Sequence, residues 1–126
     1  MNGQMGTYYT KALINYDSPA ILYSREGDIK KPVPSDAYVF CEESPYTIND
    51  GYMEINSQTT MPAFPDVPAA YLDNGCAFSF ADGHAEAHKW VTSVVLNAKG
   101  SINSIPGGGQ NNADWVWFTQ HAASNP

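Results

Sequence analysis

Long apolar runs are missing from this chain of 126 residues. No stretch approaches the roughly 18 consecutive apolar residues that span a bilayer, and the first residues lack the charged-then-apolar plan of a secretion signal. Basic residues are also scarce. Six Lys and Arg stand against thirteen Asp and Glu, a formal charge of −7 that repels phosphate backbones and anionic lipid. The cations Lys11, Arg25, Lys30, Lys31, Lys89 and Lys99 are scattered, with no basic patch and no ladder of interleaved aromatics, which disfavours nucleic-acid partners. The acidic excess suits a secreted or surface protein, or a site for divalent cations.

Catalytic patterns are missing as well. No nucleophile elbow occurs, and Gly107-Gly108-Gly109 has neither a Lys-Ser/Thr pair after it nor an apolar strand before it, so it reads as a flexible loop. Glu42 and Glu43, adjacent on a strand, point to opposite faces and cannot form a facing acid–base pair. The residues assign no reaction. Cysteine is limited to Cys41 and Cys76, both at expected strand positions. Two readings stand for them: a disulfide between neighbouring strands of an exported domain, or two separate buried thiols.

What the chain has is 43% hydrophobic and 13% aromatic residues, enough for one small domain over residues 1–126. Its most informative stretch is residues 75–90, where two alternating runs meet at Asp82-Gly83. That pair predicts a β-hairpin closed by a two-residue type I′ turn. Counting outward sets Ala81 opposite His84 at the turn, and puts Phe80 opposite Ala85, Phe78 opposite Ala87 and Cys76 opposite Lys89 on an apolar face. Ser79 opposite Glu86 and Ala77 opposite His88 then fall on a polar one.

The run Phe78-Ser79-Phe80-Ala81-Asp82-Gly83-His84-Ala85-Glu86, followed by His88-Lys89-Trp90, resembles the end of the prepilin-type processing-associated domain known for an H-X9-DG motif. The likeness extends upstream through Tyr38-Val39-Phe40, Glu42-Glu43, Ile48-Asn49-Asp50-Gly51 and Pro68-Ala69-Ala70-Tyr71, covering about residues 22–90, with a weaker echo at Asp114-Trp115-Val116-Trp117. The naming histidine is absent, and Leu72 stands in its place. The resemblance implies a major-pseudopilin-like head of a type II secretion pseudopilus or type IV pilin-like filament: extracytoplasmic, structural rather than enzymatic. It also implies an α+β fold whose antiparallel sheet of three to five strands packs on an N-terminal helix largely missing here. Other pilin-like subunits and the membrane would be engaged through that helix, leaving this piece a monomer at micromolar concentration. The alternative is a standalone extracytoplasmic binding module, for instance for carbohydrate, with exposed Tyr and Trp stacking on sugars; those rings equally suit a small core.

Elsewhere the pattern predicts a short helix over residues 7–15, strands over 36–42 and 52–55, a Pro-rich surface connection over 56–73, and a second hairpin strand continuing to about Val95. The tail residues Trp115, Trp117 and Phe118 are expected to dock on the body. Two metal patterns stand out. His84, Glu86 and His88 share one strand face and offer transition-metal ligands, against the reading of a solvated polar face. Glu42, Glu43, Asn49 and Asp50 offer hard oxygens for Ca²⁺, the ion the resemblance also implies, with Asp73 and Asp82 as further candidates; turn formation and strand-edge solvation explain the same residues.

Overall fold

The computed structural model describes residues 23, 25–53, 63–98, 105–106 and 108–122. Three strands form an antiparallel sheet in the order β1-β3-β4: β1 (Tyr38–Cys41), β3 (Gly75–Phe80) and β4 (Ala85–Lys89). A two-stranded pair joins β2 (Ala63–Phe64) to β5 (Ile105–Pro106). Helix α1 (Ser93–Leu96) follows β4, and α2 (Ala113–Ala122) closes the described chain. The fold is α+β in the broad sense expected. The helix expected over residues 7–15, and the end of the strand expected at 52–55, lie outside the described residues.

The hairpin forms where expected, with a different register. Phe78 pairs with Glu86, Ala77 with Ala87 and Cys76 with His88, one residue out of step with the type I′ count. The reason is local. Gly83 N–H donates to Phe80 O at 3.0 Å and Phe80 N–H to His84 O at 2.9 Å, so the loop holds three residues. Only Gly83 in that loop takes positive φ, at 93°, while Asp82 accepts the His84 N–H at 3.1 Å. A side-chain bond of this kind favours a type I turn ending in a left-handed glycine. The two-residue turn with positive φ at both centres occurs one strand earlier, at Asp73 (φ 50°) and Asn74 (φ 65°), closed by reciprocal bonds between Leu72 and Gly75.

Because strand faces alternate, the shifted register moves every β4 side chain to the other face. His84, Glu86 and His88 now share the face of Cys76, Phe78 and Phe80, while Ala85, Ala87 and Lys89 lie on the face of Ala77 and Ser79. A bulge between Tyr38 and Phe40 does related work in β1. The extra residue lets Tyr38 and Cys41 both face the core and turns Phe40 outward, 56% exposed.

Helix α2 covers the aromatic face. Asn112 caps it by accepting the Trp115 N–H at 3.0 Å, Asp114 supplies a first-turn acid, and Trp115, Phe118 and Ala122 make one buried stripe. The tail docks as expected: Phe118 stacks on Tyr38 at 5.3 Å and Trp117 meets Phe78 edge-on at 5.0 Å. Full burial of Phe118 is worth about 2–3 kcal/mol.

Three further expectations are corrected. The stretch from Phe64 to Ala69 is interior rather than a surface connection, with Phe64, Val67 and Ala69 buried. Its prolines exclude a regular ladder, yet Ser44 N–H to Val67 O and Ala69 N–H to Glu42 O, both 2.8 Å, hold it beside the end of β1. The second hairpin strand stops at Lys89, because the Asp114 carboxylate captures the Val91 and Thr92 N–H groups and the chain turns into α1. The sequence pattern over residues 101–112, with Pro106 and three glycines, predicts only a loop, yet it contributes β5.

Candidate functional site

The hairpin and α2 bring together all three histidines of the chain. His84 lies flat on Phe80, ring centroids 4.4 Å apart, with its Nδ1 2.6 Å from Asp82 Oδ1. His88 stacks on Trp117 at 3.7 Å, and His121 stacks on the same indole at 4.1 Å. Two imidazoles that close to one indole cannot share a face without overlapping, so Trp117 is sandwiched between them. His121 Nδ1 is 2.7 Å from the Trp117 carbonyl, which only accepts, so Nδ1 carries the proton there.

Electrostatics follow from this packing. Burial holds His88 below the usual imidazole range; Asp114 and Glu86 pull it upward, and His121 pushes it down. The His84 N–H and ring hold the Asp82 carboxyl below its usual range. The expected ligands His84, Glu86 and His88 thus share one strand face, but on the aromatic side, where His84 and His88 are engaged in ring stacking. Among the described residues no group of three or more His, Cys, Asp or Glu is arranged to hold a metal ion.

The expected oxygen ligands divide. Glu43 and Asp50 line a cleft of about 190 Å³ with Cys41, Ile48, Tyr52 and Met53; Glu42 and Asn49 do not line it. Glu43 Oε1 is buried with no hydrogen-bond partner. Burial, then the nearby Asp66 carboxylate, push Glu43 up to about 7, with a Thr47 hydrogen bond acting the other way. Asp50 accepts the Tyr52 N–H at 2.7 Å, the bond of an Asx turn. Asp73 is engaged by Lys89, and Asp82 by His84. Two side-chain carboxylates are few against the roughly 6–8 oxygens that Ca²⁺ takes.

Cys41 and Cys76 are free thiols. Cys41 pairs with Phe78, two residues beyond Cys76, so the cysteines are diagonal neighbours on one face. Such positions lie about 7–8 Å apart, beyond the usual span of a disulfide. Burial raises both thiols, Cys76 to about 12 and Cys41 further, which keeps them protonated and poorly nucleophilic.

A groove of about 160 Å³ runs between Pro45, Tyr46, Pro68, Tyr71, Val95 and Leu96. Tyr46 and Tyr71 are 46% and 62% exposed there. Sequence reasoning assigned no structural role to two residues that fix α2 to the end of β4, Asn112 and Asp114. Their signal was present: an Asn three residues before Trp115, with an acid between, is a helix N-terminus pattern. Comparisons with family models, curated proteins and solved structures find no match for this chain.

Proposed function

We propose that this domain is the extracytoplasmic head of a pilin-like filament subunit, structural rather than catalytic, in keeping with the resemblance carried by residues 78–90. One observation carries the reading: the residues of that motif hold the fold together. Asp82 bonds the hairpin turn, Gly83 supplies its positive φ, and the buried Trp90 donates its indole N–H to Ala69 O at 2.7 Å. Assembly would run through an apolar N-terminal helix and the membrane through that same helix. The test is site-specific crosslinking of the full gene product in its own cell. A ladder of adducts that vanishes when the secretion machinery is deleted is the expected result; a product crosslinked only to itself as a closed oligomer, machinery or not, sinks the reading.

The groove between Tyr46 and Tyr71 favours a second reading, a binding module for neutral sugars. Exposed aromatic rings offer flat apolar faces to a pyranose, and the chain's negative charge disfavours anionic ligands. Titration with soluble oligosaccharides, read by NMR, decides it: shifts at Tyr46 and Tyr71 that Tyr71→Ala removes support a lectin-like role, and unmoved resonances remove it.

A further inference from the structure

Strand β4 is the outer strand of the sheet, and its backbone alternates between two tasks. Phe80 N–H bonds His84 O at 2.9 Å and Trp90 N–H bonds Asn74 O at 2.8 Å. In an antiparallel ladder hydrogen-bonded pairs recur every second residue. His84, Glu86, His88 and Trp90 therefore direct their N–H and C=O groups at β3, while Ala85, Ala87 and Lys89 direct theirs away from the sheet. Those three residues are exposed, and among the described residues no strand pairs with that edge.

We infer that this edge pairs with the same edge of a second copy of the chain, antiparallel and centred on Ala87. The sequence Ala85-Glu86-Ala87-His88-Lys89 is complementary to its own reverse in that register and in no neighbouring one. Centring on Ala87 uses all three outward residues, giving about six backbone bonds across the two-fold axis. It sets Glu86 against the partner copy's histidine in the closely spaced, non-hydrogen-bonded position, where a carboxylate acceptor meets an imidazole N–H donor. A register centred on Glu86 opposes two carboxylates, and one centred on His88 opposes two imidazoles. Steric cost is low because alanines face the seam. Lys89, a residue type that usually blocks such an edge, is engaged by Asp73 and lies opposite Ala85 of the other copy.

A strand pair this short buries little area, so the self-association is weak and micromolar solutions stay monomeric. It becomes effective when copies are concentrated or tethered side by side. The pairing goes beyond the filament reading and does not depend on it, since it needs only the folded domain.

The experiment is an amide-exchange and chemical-shift series on the whole chain from micromolar to millimolar concentration. The expected result is alternating: amides of Ala85, Ala87 and Lys89 gain protection with concentration, while those of Glu86 and His88, already bonded to β3, do not change. Ala87→Pro removes one outward N–H per copy and weakens association about tenfold or more. Ala85→Pro acts in the same sense should the first variant misfold, with retained Glu86 and His88 protection certifying the hairpin. Absence of the alternation at millimolar concentration, or concentration-dependent shifts confined to another surface, overturns the proposal.

Discussion

Asp114 and Thr92, 22 residues apart, are joined by two hydrogen bonds: the carboxylate accepts the Thr92 N–H at 2.8 Å and its hydroxyl at 2.6 Å. The same carboxylate takes the Val91 N–H at 3.0 Å. One buried side chain on the first turn of α2 thus ends β4 and fixes the helix to the hairpin. Asp114→Ala strands three donors and is expected to cost about 2–4 kcal/mol in urea unfolding. Asp114→Asn, which keeps one acceptor, is expected to lose less. Equal losses would show that the carboxylate's second oxygen carries the whole effect.

Gly75 and Gly83 are needed for different reasons, and the two alanine variants separate them. A Cβ at Gly75 would sit 2.2 Å from the His88 carbonyl oxygen, a backbone atom that moves only if β3 and β4 part. A Cβ at Gly83 meets nothing within 4 Å, so the cost there is the positive φ alone. Gly83→Ala is expected to cost about 1–2 kcal/mol and Gly75→Ala more than that. Thermal melts that reverse the order would contradict the close approach at Gly75.

Glu43 makes stability depend on pH in an unusual sense for a carboxylate. Its folded pKa of about 7 exceeds the ordinary 4.5, so between these values the folded state binds the extra proton. The associated stability is fully present below about 4.5 and is lost as pH rises through about 7. Glu43→Gln is expected to stabilise the domain above pH 7 by about 1 kcal/mol, the shift being discounted for solvent screening, and to change little in acid. Parallel pH–stability curves for the two proteins would refute the assignment.

His88 gives a slope of the other sign. Its folded pKa lies below the ordinary 6.5, so the stability held by the neutral ring is complete above 6.5 and is lost as pH falls through and below that value. His88→Phe, which keeps a stacking ring without a proton site, is expected to flatten the acid limb. An NMR titration of the His88 ring supplies the independent check: a midpoint at or above 6.5 would rule the burial effect out.

The hairpin was legible because strand alternation and Asp82-Gly83 are local signals. Its register was not, because the choice between two-residue and three-residue loops turned on one side-chain bond, from His84 N–H to Asp82. That single step changed the meaning of the histidines, moving them from an expected solvated face to the aromatic side. The docking of Trp115 and Phe118 was legible from hydrophobicity alone. The interior course of residues 64–69 was not, since prolines mark irregular backbone whether it lies outside or inside. Likewise the split of Glu43 and Asp50 from Glu42 and Asn49 depends on how the chain turns after β1, which spacing does not encode.

The sandwich around Trp117 has an optical consequence. Two of the chain's three tryptophans, Trp90 and Trp117, meet across the seam between the hairpin and α2, centred 5.9 Å apart. Indole emission, excited selectively over the eight tyrosines, therefore reports in large part on that seam. An excited indole passes an electron readily to a protonated imidazole in van der Waals contact, and Trp117 has a histidine ring stacked on each side. Emission is expected to dim as His88 charges and to brighten when α2 lifts away, so one unlabelled fluorescence trace distinguishes protonation at the seam from its opening.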